Sequence, residues 1–93
     1  MSVVIIGGNE RMERQYEEIC RGYGCEAKVF TKENGSVARK MGCPDLLILF
    51  TGTASHKMVI SATKEAKRVG IKIARHHTSS ASALHALMQE HVC

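Results

Sequence analysis

The chain has no tryptophan, a single proline and only four aromatic residues, Tyr16, Tyr23, Phe30 and Phe50. So sparse a set excludes a surface on which successive bases stack. The basic residues are scattered along helical stretches, as at Lys64, Lys67 and Arg68, so nucleic acid is not an expected partner. Long apolar runs are missing as well. Val3 to Ile6 is too short for the apolar region of a signal peptide, and no run approaches the ~20 residues of a membrane span. A cytoplasmic protein without a membrane partner is therefore expected. Acids are few, nine Asp and Glu against thirteen Lys and Arg, giving a net charge of +4 and a mild preference for anionic partners. The four cysteines, Cys20, Cys25, Cys43 and Cys93, fit neither a CxxC nor a zinc-finger spacing. In a reducing compartment they are expected as free thiols.

What is present is an ordinary globular balance, 44% hydrophobic and 24% charged over 93 residues, which excludes disorder. The length fits a single domain over residues 1–93. Val3-Val4-Ile5-Ile6 before Gly7-Gly8 and Leu46-Leu47-Ile48-Leu49-Phe50 after Pro44-Asp45 are continuous apolar runs, as expected of strands buried on both faces. Cys25, Ala27 and Val29 alternate with charged residues, and Ile71 and Ile73 flank Lys72, so these two segments read as edge strands.

Between the strands lie helical patterns. Met12, Tyr16, Ile19, Cys20 and Tyr23 form one apolar face, with Asn9 as a candidate N-cap. Ser36 is a candidate cap for a short helix carrying Val37, Ala38 and Met41. Thr53 or Ser55 caps the next helix, which ends at Gly70. Thr78, Ser79 or Ser80 caps the last, whose buried stripe is Ala83, Leu84, Leu87 and Met88. This alternation implies an α/β fold: a small three-layer, Rossmann-like or flavodoxin-like domain with a four-stranded parallel sheet in the order 2-1-3-4. Its topological switch point falls between the C-terminal ends of the first and third strands, where ligands bind in such sheets.

That end of the sheet collects Gly7, Gly8, Asn9 and Arg11, then Thr51 to His56, then Arg75 to Ser80. The cysteines fall at the opposite end, a strand length of ~15 Å away, so a mixed Cys/His zinc cluster is not expected. Only Glu10 brings a carboxylate to the ligand end, which argues against a magnesium site or a phosphoacceptor site. Arginines, histidines, hydroxyls and helix starts suit an anion instead. Gly7-Gly8-Asn9-Glu10-Arg11-Met12 departs from a GxGxxG fingerprint, so the glycine pair reads either as a tight turn or as a phosphate cradle.

Three of the five histidines, His56, His76 and His77, follow apolar strands. His56 starts the helix after the third strand. His76 and His77 are adjacent on an extended segment and face opposite ways, so only one of them shares a crevice with His56. His85 and His91 read as residues on the solvated face of the last helix. Two imidazoles also suit haem or a borderline metal, with His56 and His77 as the candidate ligands. A catalytic triad is not supported, because no carboxylate orients the imidazole and no serine lies in a GxSxG elbow.

A strand ending in Gly7-Gly8, Pro44-Asp45 before an apolar strand, Ser55-His56 at the next helix start and the Ser79–Leu84 segment together resemble the bacterial domain of unknown function 2325 family (DUF2325) over nearly the full chain. Ser55-His56 is the most specific part of the match. The resemblance implies a small Rossmann-like domain and no assigned activity. Some members look as if they carry a cysteine three residues before the histidine, where this chain has Thr53; the departure weakens a Cys-His metal site and leaves His56 in place.

The resulting expectation is a ligand-binding or regulatory module, homodimeric because the sheet exposes its edges. It would take a small anionic or haem-like ligand through His56 and one of His76 or His77. Gly7, Gly8, Asn9, Thr53, Ser55, Ser79 and Ser80 would supply donors, and Arg11 or Arg75 the countercharge. The alternatives are an enzyme acting on a phosphorylated or nucleotide-like substrate, with His56 as general acid or base, and an interaction domain whose crevice is incidental.

Overall fold

Val3 to Ile6 and Leu46 to Phe50 are all fully buried, at 0% exposure, so the two uninterrupted apolar runs lie at the centre of the sheet. The computed structural model describes residues 1–32 and 40–92. Strands β1 (Ser2–Ile6), β2 (Glu26–Phe30), β3 (Leu46–Phe50) and β4 (Lys72–His76) form a four-stranded sheet in the order β2-β1-β3-β4. Every pairing is parallel. The alternating segments are the two edges, since a strand with a wet side needs only one covered neighbour. The helix expected after Ser36, apart from Met41, lies outside the described residues, as does Cys93.

Three helices are described: α1 (Glu13–Gly22), α2 (His56–Val69) and α3 (Ala81–His91). Strand parity divides the core between two layers. Val3, Ile5, Leu46, Ile48, Phe50 and Ala74 face one side, where Tyr16 and Cys20 of α1 and Leu84, Leu87 and Met88 of α3 cover them. Val4, Ile6, Leu47 and Leu49 face the other, under Met41 and under Met58, Ala62 and Ala66 of α2. The result is the α/β, Rossmann-like three-layer arrangement that the sequence implies. Each fully buried Leu, Ile, Val or Phe contributes ~1.5–3 kcal/mol relative to exposure, so β1 and β3 dominate the stability of the sheet.

Local chemistry sets the helix limits. Ser55 accepts the Met58 N–H at 3.2 Å and Ser80 accepts the Ala83 N–H at 3.1 Å. Such N-caps contribute ~1 kcal/mol each by satisfying otherwise orphaned donors. Gly70 closes α2, its N–H donating to Ala66 O. The Pro44-Asp45 pair fastens two strands: the Asp45 carboxylate accepts the Ser2 N–H at 2.7 Å, and the Asp45 N–H donates to Ser2 O at 2.8 Å. This clamp ties the start of β1 to the start of β3.

Candidate functional site

Parallel strands bring three connecting segments to the C-terminal edge of the sheet: residues 7–9 after β1, 51–55 after β3 and 77–80 after β4. The first is a tight turn. Gly7 and Gly8 have φ of +93° and +92°, a region that side-chain-bearing residues enter only with strain. A Cβ on Gly7 would lie 2.8 Å from Phe50 O and 2.9 Å from the Ala54 Cβ. The turn after β1 is therefore pressed against the end of β3, and the switch point is narrow at its base.

Hydrogen bonds tie these segments together. The Gly7 N–H donates to Phe30 O at 2.9 Å, and the Gly8 N–H to Thr53 Oγ1 at 2.7 Å. Thr53 Oγ1 also lies 3.3 Å from Phe50 O, to which it donates. The Asn9 N–H donates to the Tyr16 hydroxyl at 3.2 Å, while Asn9 Oδ1 accepts the Arg11 N–H at 2.9 Å. Of the two readings of the glycine pair, the geometry carries the tight turn, because the N–H groups of Gly7, Gly8 and Asn9 are engaged within the protein. Thr53 bridges two loops across the switch point, and Asn9 caps the short 3-10 turn Glu10–Met12.

Tyr16 is the hub that sequence periodicity does not reveal. Its ring is fully buried and packs 5.6 Å, centroid to centroid, from Phe50. Its hydroxyl accepts from Asn9 and donates to Ser79 O at 2.6 Å. One phenol thus joins the segment after β1 to the segment after β4. A signal was available, since a buried tyrosine hydroxyl requires partners. Only the fold identifies them.

The histidines separate as strand parity requires. His76 stands in register with Phe50, on the α1/α3 side of the sheet. Its Nδ1 accepts the Thr78 N–H at 3.1 Å and lies 3.0 Å from Thr78 O, so the ring closes on its own loop. His77 turns the other way. Its Cε1 and Nε2 would lie 3.0 and 3.1 Å from a Cβ on Gly52, and its carbonyl accepts the Gly52 N–H at 3.1 Å. His77 therefore rests on the loop that leads to His56, the first residue of α2. Both His56 and His77 are exposed, and neither ring makes a hydrogen bond among the described residues. Away from this end, His85 Nδ1 lies 3.0 Å from the Tyr23 hydroxyl, and the His91 side chain is only 16% exposed. His85 is exposed, as a solvated helix face implies, whereas His91 is less open than that reading implies.

Charge at this end is also more specific than composition indicates. Glu10 pairs with Lys32 at 3.1 Å, and a second acid, Glu13, accepts a hydrogen bond from Thr31 Oγ1. Neither α2 nor α3 has an acid in its first turn, so their positive ends are not offset by their own side chains. Arg11 is exposed beside the first turn. Arg75 goes elsewhere: it shares the α2 side of the sheet with Ile73 and lines a groove at the outer edge with Val59, Ile60 and Thr63. Among the described residues no group of three or more His, Cys, Asp or Glu side chains is placed to hold a metal.

The three described cysteines occupy the opposite end. Cys20 and Cys25 are buried and Cys43 is exposed. Burial, reinforced by the neighbouring Cys25, pushes the Cys20 thiol up to about 11, which keeps it protonated and unreactive at neutral pH.

The family model for an uncharacterized protein conserved in bacteria (DUF2325) matches residues 2–91. The chain belongs to this DUF2325 family. The match spans every strand and helix described above, so the family's domain is the whole sheet with its covering helices. No curated protein and no solved structure matches the chain. No helix of the described residues is long and apolar enough to cross a membrane.

Proposed function

We propose that this DUF2325 protein is a small ligand-binding or regulatory module that takes a small anionic ligand at the C-terminal edge of the sheet, through His56 and His77. One observation carries the reading: two exposed imidazoles without hydrogen-bond partners among the described residues, one at the start of α2 and the other resting on the loop that leads there. Supporting it, the first turns of α2 and α3 lack acids, which favours negative charge at those ends. Because the first-turn glycines spend their N–H groups internally, side chains supply the recognition. Ser55 and Ser80 use their oxygens as acceptors in the caps and keep their O–H protons for a ligand. Arg11, exposed beside the first turn, is the candidate countercharge, since Arg75 lines the outer groove.

Haem is the weaker form of the same proposal. A porphyrin face needs apolar cover, whereas Thr51, Gly52, Thr53 and Ser55 around His56 are all exposed. Enzymatic acid–base chemistry by His56 is also less favoured, because no described side chain orients its ring.

The test is calorimetric titration with inorganic pyrophosphate. A charge-assisted hydrogen bond contributes ~1.5–3 kcal/mol, so His56→Ala and His77→Ala are each expected to weaken binding about tenfold or more, and His85→Ala to leave it unchanged. Equal binding by wild type and the His56→Ala, His77→Ala double variant would refute the reading. A Soret band in the freshly purified protein, lost in His56→Ala, would favour haem instead.

A further inference from the structure

The positive charge of this protein is concentrated on one edge. Residues 56–76 carry Lys57, Lys64, Lys67, Arg68, Lys72 and Arg75 against Glu65 alone, although the whole chain has a net charge of only +4. Glu65 is engaged by Arg68, which bonds it through Nε and Nη2. Lys64, Lys67 and Arg75 make no ion pair among the described residues.

These three side chains border a groove of about 440 Å³ between α2 and β4, with Val59, Ile60 and Thr63 as its other walls. Ile60 is 53% exposed, the most exposed large hydrophobic side chain among the described residues. Thr63 forms part of the wall with its Oγ1 covered, and that oxygen has no hydrogen-bond partner among the described residues. Strand β4 pairs only with β3, so its outer edge presents unpaired backbone groups to a visiting strand.

From these features we infer that the α2–β4 edge docks an acidic, extended protein segment that presents both apolar and acidic side chains on one face. Its α2-facing positions, every second residue, place apolar side chains on Val59 and Ile60 and carboxylates on Lys64, Lys67 and Arg75, and its backbone bonds the β4 edge, the mode in which an extended peptide adds to a sheet. A second copy of this chain is a poor occupant, because two-fold pairing would set one basic edge against another. Nucleic acid fits less well, since the groove is apolar and has no aromatic side chain for stacking. This surface is separate from the histidine site and does not depend on it.

The probe is a fluorescein-labelled peptide of the repeat Val-Ser-Glu-Ser, which puts Val and Glu on one face of a strand, with a second in which Gly replaces Val, read by fluorescence anisotropy. The full chain is expected to bind the Val-containing peptide at least tenfold tighter than the Gly-containing one. Lys64→Glu with Lys67→Glu should weaken that binding at least tenfold. Both lysines are exposed, and an unchanged circular dichroism melt verifies that the variant folds; Ile60→Ser is the uncharged counterpart, expected to weaken binding several-fold. Equal binding of the two peptides, no effect of either substitution, or binding to poly(U) RNA or phosphatidylserine vesicles with none to the peptide would overturn the inference.

Discussion

Gly7→Ala is expected to lower the unfolding free energy by about 3 kcal/mol, measured by urea denaturation. Two costs add. A residue with a Cβ held at left-handed φ is strained by ~1–2 kcal/mol, and Gly7 sits at +93°. The new methyl would also meet Phe50 O at 2.8 Å and the Ala54 Cβ at 2.9 Å. Neither neighbour is the far end of a flexible chain: one is the carbonyl closing β3 and the other is fixed by the turn into α2. Overpacking of this kind costs ~1–3 kcal/mol. Relief requires the turn after β1 to withdraw from β3, which breaks the 2.7 Å bond from Gly8 to Thr53. An Ala variant as stable as wild type would mean that the two loops are not pressed together.

The second large effect is at Tyr16. Tyr16→Phe keeps the ring in the core against Phe50 and removes only the hydroxyl, which accepts from Asn9 N–H and donates to Ser79 O. Leaving buried polar groups without partners costs ~1–3 kcal/mol, so a loss of about 2 kcal/mol is expected. The structural consequence is directional. The phenol is the link between the segments after β1 and β4, so amide exchange should accelerate at Asn9 and in residues 77–80 while the centre of β3 stays protected. Uniform acceleration, or none, would contradict a hub role.

Much of this architecture was legible in the residues because burial leaves a direct mark on sequence. Val3–Ile6 and Leu46–Phe50 are apolar at every position and lie inside; the alternation around Lys28 and Lys72 marks the two edges. Two caps were legible as short lists of alternatives, from which geometry selected Ser55 and Ser80; Asn9, the candidate for the first helix, caps the 3-10 turn that precedes it, and α1 itself has no side-chain cap. What stayed hidden depends on contacts far apart in the chain. Thr53 reads as a turn residue until β1 and β3 are adjacent, when its hydroxyl meets Gly8 across 45 positions. Tyr16 reads as one member of an apolar stripe, because periodicity reports the side a ring faces and not the partner its hydroxyl finds. Arg75 belongs by position to the ligand end, yet strand parity with Ile73 turns it toward α2 and the outer groove. The same parity separates His76 from His77. Sequence established that they diverge, and the register of β4 with β3 decides which one rests on Gly52.

The proposed function requires His56 and His77 to meet an anion together at one edge of the sheet. The most direct measurement is a ¹H–¹⁵N spectrum of the imidazole nitrogens recorded at constant pH while inorganic pyrophosphate is added. The ring nitrogens of His56 and His77 are predicted to shift along one saturable curve, with those of His85, held by Tyr23, staying still. Saturable binding that leaves both His56 and His77 unmoved, or shifts confined to His85 and His91, would contradict the account.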